Sequence, residues 1–341
     1  MKRVLPLLIV LCILSGCSFP EVESALTAEP PAPDLPERPA PQSAADKRCG
    51  DGACDGPETA ANCPQDCGDE ARPPVQEGLL WVENPSSGSQ LAVYILTPAD
   101  YDGAALPTLI LVPGGIGDSS DFTGAGRSAQ DMAERGFTVV IFDPEGRGAS
   151  GGEEDLNGFV GQDGLAEIVR TVAARPEVDP DRIGLVSYSF GVTLASGTLA
   201  RYPDLPIVFF IDWEGPANRV YTTHDCSPDA PGIGSTTYMA SCEDDDFWRE
   251  REAETFIASV QVPYQRIQFE DDHSQDTPEH GVVMVNAALN GDPPWVRLND
   301  DPPNTIYALS PLPPVFPGSA GSRLNGLVAD FAEELFALFA P

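Results

Sequence analysis

The stretch that decides the fold is Ile183-Gly-Leu-Val-Ser-Tyr-Ser-Phe-Gly-Val-Thr-Leu-Ala-Ser-Gly197. It starts as a short apolar run, Ile183–Val186, passes through Ser187-Tyr188-Ser189-Phe190-Gly191 and continues at once into helix-forming residues. A serine on a tight strand-to-helix turn needs small neighbours two residues away on either side, because its own backbone is strained and larger side chains would collide. Gly191 and Ser187 meet that need around Ser189. The Phe190 N–H then lies at the start of the following helix, where a developing negative charge is stabilised.

Outward from this point the chain alternates strands and helices. Leu79–Val82 and Leu91–Leu96 flank a Pro-Ser-Ser-Gly-Ser turn and predict a hairpin. Strand-length apolar runs follow at Leu109–Val112, Val139–Phe142, Ile207–Ile211, Tyr264–Phe269 and Trp295–Leu298. Helical stretches are expected near 127–135, 163–174, 190–201, 247–259, 277–289 and 323–339. Repeated β–α alternation with wholly apolar strands predicts a mostly parallel sheet covered on both faces. Ligands bind such sheets at the carboxyl ends of the strands. Pro113-Gly114-Gly115 follows the third run, and Asp143-Pro-Glu-Gly-Arg-Gly-Ala-Ser-Gly-Gly152 follows the fourth. Gly115 and Phe190 are the candidate backbone donors to an oxyanion.

From residue 78 to 341 these motifs resemble the α/β-hydrolase family: the PGG loop, the D-x-x-G-R-G-x-S-G-G segment and the serine elbow, in that order. The resemblance implies an α/β fold with an eight-stranded, mostly parallel sheet flanked by helices, and a serine nucleophile at Ser189. It also implies an acid after the seventh strand, which falls on Asp272, and a histidine after the eighth. No histidine follows the eighth run; the chain holds only His224, His273 and His280.

Three readings stay open. In the first, Ser189 and His273 work with Asp212, at the end of the sixth run, or with Asp272; a triad is defined by geometry, not chain order. The reaction runs through an acyl-enzyme on Ser189, and the substrate is an ester or peptide. In the second, the domain is a catalytically inactive binding or scaffolding module. In the third, Asp272, His273, Asp276 and His280 hold a metal, against which Asp276 and Glu279 also fit a helix capping box.

Residues 1–17 read as an export signal: Lys2 and Arg3, the apolar run Val4–Leu14, then Leu14-Ser-Gly-Cys17. This ending resembles a bacterial lipoprotein signal, which implies lipidation of Cys17 and anchoring to the cell envelope, with the outer membrane favoured by Ser18. Residues 18–48 carry seven prolines and predict an extended tether. Residues 49–68 hold Cys49, Cys54, Cys63 and Cys67, expected to form two disulfides in an oxidising compartment. Calcium binding to the acidic groups of that module is an open alternative to a purely structural role; no other cofactor is expected. Residues 216–245 read as a lid insertion closed by a Cys226–Cys242 disulfide.

The whole chain has 341 residues and a formal charge of −34, with 53 acidic and 19 basic groups. Such a surface repels phosphate backbones and excludes nucleic acid as a partner. From residue 69 onward 43 acidic groups face 14 basic ones. The field at a cleft in that domain favours neutral or cationic acyl substrates or peptides. Membrane contact is expected through the lipid anchor alone.

Overall fold

The computed structural model describes residues 76–123, 128–223, 226 and 240–341, all of them within the unit Ala71–Pro341. The export signal, the tether, the module with Cys49, Cys54, Cys63 and Cys67, His224 and most of the proposed lid lie outside the described residues.

The elements follow in the order β1 (Gln76–Glu83), β2 (Gln90–Thr97), β3 (Leu106–Val112), α1 (Ser120–Thr123), α2 (Ser128–Glu134), β4 (Thr138–Phe142), α3 (Phe159–Ala173), β5 (Val178–Tyr188) and α4 (Gly191–Arg201). Then come β6 (Phe209–Trp213), α5 (Arg219–Thr222), α6 (Asp245–Arg249), α7 (Ala253–Ile257), β7 (Tyr264–Ile267), α8 (Glu279–Leu289), β8 (Val296–Leu298) and α9 (Arg323–Phe339). The strands form one sheet in the order β1-β2-β4-β3-β5-β6-β7-β8. β2 is antiparallel to both β1 and β4, and every other pairing is parallel.

The inner strands are apolar on both faces because helices cover both. All five residues of β4, Thr-Val-Val-Ile-Phe, are buried. Along β6, Phe210 packs into the core on one face while Phe209 and Ile211 pack into the other. The amphipathic α9 supplies much of the second layer; its Phe336 ring lies 4.6 Å from that of Phe209. Burial of this kind contributes about 25 cal/mol per Å² of apolar surface and dominates the stability of the domain.

Two expected helices are placed differently. The stretch 247–259 is broken into α6 and α7 at Glu250–Glu252. The Arg251 side chain turns inward there and donates to the carbonyls of Phe247, Leu156 and Asp155, a set of partners that a continuous helix would not bring to it. The helix expected from Asp276 begins at Glu279, with Pro278 as its N-cap. No capping box forms, because the preceding residues are folded around Asp272, whose carboxylate accepts from the Ser274 and Gln275 N–H groups.

The carboxyl ends of β5, β6 and β7 are tied by one fully buried carboxylate, Asp212. It meets the Arg266 guanidinium at 2.5 Å and the Tyr264 hydroxyl at 3.0 Å, both on β7. Its other oxygen accepts from the Ser187 hydroxyl of β5 and from the Gly215 N–H, each at 3.3 Å. Both members of the ion pair are wholly inaccessible to water. Removing one charge from such a pair leaves the other buried and uncompensated, at a cost of about 3–5 kcal/mol. We expect Asp212→Asn to lower the unfolding free energy by about that amount in urea titrations. A loss under about 1 kcal/mol would show that the pair contributes little to stability.

Candidate active site

β5 delivers Ser189 to the carboxyl edge of the sheet in a left-handed conformation, φ 52°. An L-residue adopts this only where its surroundings enforce it. Here the Ser189 N–H is held by the Trp213 carbonyl at 2.9 Å, and α4 starts two residues later. Close approach explains the small neighbours: a methyl group added at Gly191 would sit 2.5 Å from the Pro113 carbonyl oxygen, and one at Gly114 would sit 2.9 Å from the Ser189 Cβ. Ser187 stands where the resemblance leads one to expect glycine. It is buried within β5 and uses its hydroxyl on Asp212.

The loop after β7 brings His273 to this serine. Its Nε2 is 2.8 Å from Ser189 Oγ. On the other side of the ring, Nδ1 is 2.9 Å from Glu214 Oε2. A carboxylate oxygen accepts, so the proton lies on Nδ1 and Nε2 is free to accept from the serine hydroxyl. The His273 backbone N–H also donates to Glu214 Oε2, at 3.1 Å, and the Phe269 N–H donates to Glu214 Oε1, at 2.9 Å. The Glu214 carboxylate is almost fully buried, whereas 29% of the His273 side chain remains exposed. The Trp213 ring stacks against the imidazole with 4.5 Å between centroids.

The structure thus brings Ser189 and His273 together, but the carboxylate it adds is Glu214. Asp212, expected at the end of the sixth strand, lies inside it, because β6 runs two residues further than the apolar run Ile207–Ile211. Its carboxylate is engaged below the site by Arg266. Glu214 is the first residue beyond the strand, again at positive φ, 48°. Asp272 comes only within 3.6 Å of His273 Nδ1; its Oδ2 is 2.8 Å from His280 Nε2. The rule that functional groups follow strand ends points to Glu214 once the strand is bounded correctly.

The expected metal set does not assemble around Asp272, His273, Asp276 and His280. Among the described residues, the ligating groups that do converge are Glu214, Asp272 and His273, and these already hydrogen-bond one another or the backbone around them.

The glycine loop after β3 packs against the Tyr188–Ser189 turn. Gly115 takes a positive φ of 52°, and the Gly117 N–H closes back on the Gly114 carbonyl at 2.8 Å. The segment after β4 holds this loop. Arg147 donates to the Gly117 carbonyl at 3.2 Å, and buried Asp143 accepts from the N–H groups of both Ser119 and Ala149. Phe190 is the N-cap of α4, where the N–H groups have no intrahelical acceptor. Cys226 and Cys242 are disulfide-bonded with their Cα atoms 5.0 Å apart. The Cys242 carbonyl accepts from Arg219.

Residues 107–205 match the family model described as the alpha/beta hydrolase fold. An uncharacterized protein of Pseudomonas aeruginosa is 32% identical over 105 residues, which is 29% of this chain and 27% of that protein. Among solved structures, an esterase from Pyrococcus furiosus superposes with a TM-score of 0.56 at 14% identity, over 78% of this chain and 94% of the esterase. Porphyromonas gingivalis dipeptidyl peptidase 4 superposes with a TM-score of 0.56 at 18% identity, over 77% of this chain and 35% of that protein. This chain has the α/β-hydrolase fold.

Burial alone would raise the Asp272 carboxyl, but the hydrogen bond and charge of His280, with the Gln268 amide and the Ser274 N–H, outweigh it and hold the group well below the usual carboxylate range. A depressed folded value means a contribution to stability that is present above the unfolded value, about pH 4, and is lost as pH falls through the folded one. We expect Asp272→Asn to be less stable than the parent at pH 7. The gap between the two in urea unfolding should narrow below about pH 4. A gap independent of pH would show that the Asp272 charge is not what stabilises the fold.

Proposed function

We propose that this chain is a serine hydrolase that transfers the acyl group of an ester or peptide to Ser189 and then to water. The observation that carries this reading is the continuous contact Ser189 Oγ–His273–Glu214, at 2.8 and 2.9 Å. As Ser189 Oγ attacks the carbonyl carbon, its proton passes to His273 Nε2, and Glu214 stabilises the imidazolium that forms. The Phe190 and Gly115 N–H groups receive the oxyanion. His273 returns the proton to the leaving alcohol or amine. The same imidazole then draws a proton from water, which attacks the acyl-enzyme and frees Ser189. An esterase and a dipeptidyl peptidase among the structural relatives fit this range of acyl substrates. The non-catalytic reading rested on the missing histidine after β8; the contact of His273, from the preceding loop, with Ser189 weighs against it.

The acidity of the domain supports a neutral or cationic substrate. Asp121, in α1, lies against Gly117 in the glycine loop, where a methyl group would collide with its carboxylate. Exposed Ile116 adds an apolar surface beside it. A lipid-anchored, exported form, with Cys17 as the modified residue, would place this site at the bacterial envelope. Labelling with a palmitate analogue that vanishes in Cys17→Ser is the expected result there.

A fluorophosphonate probe should label the parent protein and fail on Ser189→Ala. Labelling should slow by at least about 10³-fold in His273→Ala and by about 10²–10⁴-fold in Glu214→Gln. Labelling that persists in Ser189→Ala overturns the nucleophile, and labelling unchanged in Glu214→Gln overturns the acid. With aryl esters of matched acyl length, kcat/KM should fall from cationic to neutral to anionic acyl groups, and salt should compress the series. A preference for the anionic ester would reverse the assigned substrate class.

A further inference from the structure

Behind the imidazole lies a second histidine–carboxylate pair that touches no reacting atom. His280, in α8, is wholly buried, as are Arg266 of β7 and Gln268 just beyond it. His280 Nε2 is 2.8 Å from Asp272 Oδ2, and Gln268 Nε2 donates to the same oxygen at 2.7 Å. Since an ionised carboxylate only accepts, Nε2 of His280 carries a proton. Its Nδ1 faces the Gly215 carbonyl at 3.0 Å and Arg266 Nη2 at 3.3 Å. Arg266 in turn donates to Gln268 Oε1 at 2.6 Å and holds Asp212. The remaining neighbour is the Tyr221 ring of α5, 5.8 Å away, whose hydroxyl feels the charge of Glu279.

The two oxygens of Asp272 have different partners. Oδ2 is anchored to the interior by His280 and Gln268. Oδ1 accepts from the Ser274 N–H at 2.8 Å, the Gln275 N–H at 2.9 Å and the Ser274 hydroxyl at 3.2 Å, and stands 3.6 Å from His273 Nδ1. The carboxylate therefore folds the loop that carries His273, and it adds a second negative charge beside Glu214 on the Nδ1 side of the ring. Its orientation depends on the anchor. A buried imidazole with every polar atom matched is costly to place, and here it joins α8 to the loop of the base.

Resting on the assignment of Ser189 and His273 above, we propose that His280 is a positioning residue. Through Asp272 it fixes the loop that presents His273 to Ser189. A displacement of the base of the order of 1 Å costs up to about 10²-fold in rate, so loss of this anchor reaches the chemistry without touching it.

The test is the rate of fluorophosphonate labelling across pH for the full chain and four variants, with circular dichroism confirming the fold of each. His280→Met removes the donor to Asp272 and should slow labelling roughly 10- to 100-fold at neutral pH. His280→Gln keeps an N–H of similar reach and should recover most of the rate. Asp272→Asn removes the charge but keeps the size. It should slow labelling at neutral pH roughly 10- to 100-fold, because an amide cannot accept from His280, Gln268 and the loop N–H groups as the two carboxylate oxygens do. Labelling of folded His280→Met at the parent rate, of His280→Gln slowed about 10-fold or more, or of Asp272→Asn at the parent rate, overturns the positioning role. If His280→Met does not fold, the other two variants decide. His273→Ala is the control for the assignment beneath: if it labels as fast as the parent, the base is wrong, whatever the His280 variants do.

Discussion

A carboxylate shut away from water must find a cation and donors, and Asp212 finds them on every strand around it. Arg266 and Tyr264 come from β7, the Ser187 hydroxyl from β5 and the Gly215 N–H from the turn that carries Glu214. These contacts reach the strands that carry Ser189, Glu214 and His273. The pair is not at the chemistry, yet it fixes how far the strand ends project relative to one another. Arg266 also donates to the Gly215 carbonyl at 2.8 Å, so both the N–H and the C=O of that residue are held from below. Glu214, at positive φ between Trp213 and Gly215, is left one orientation, toward His273.

The resemblance to α/β-hydrolases implied an acid after the seventh strand and a histidine after the eighth. In the triad we propose, both are displaced by one strand toward Ser189: Glu214 follows β6 and His273 follows β7. The displacement keeps the triad compact, because β5, β6 and β7 are neighbours in the sheet. It also leaves Asp272, which sits at the usual position of the acid, beside the imidazole without direct contact. There it organises a loop in place of orienting the ring.

The acidic character of the chain acquires a location from this geometry. Asp272 and Glu214 are buried and satisfied by hydrogen bonds, whereas exposed groups such as Glu270 and Asp271 on the His273 loop contribute to the field without a fixed partner role. Charges that are paired and buried hold the geometry around His273, and charges left in water make up the field at the surface.

Sequence alone determined the alternating elements, the elbow at Ser189, the glycine loop, the disulfide between Cys226 and Cys242 and the membership of His273 among three possible bases. Those features are local: a period of apolar residues, a pattern of small side chains around one serine, a spacing between cysteines. The acid was not legible in this way. Reading the sixth strand as Ile207–Ile211 placed Asp212 at its end, and only its pairing with β5 and β7 carried it on to Trp213, burying Asp212 and exposing Glu214 to the imidazole. The role of His280 was equally hidden, because a histidine in an acidic stretch looks the same whether it meets a metal, water or Asp272. That Glu214 meets His273 depends on strand register and on a single residue at positive φ, and it joins residues 59 apart in the chain, where sequence spacing carries no information.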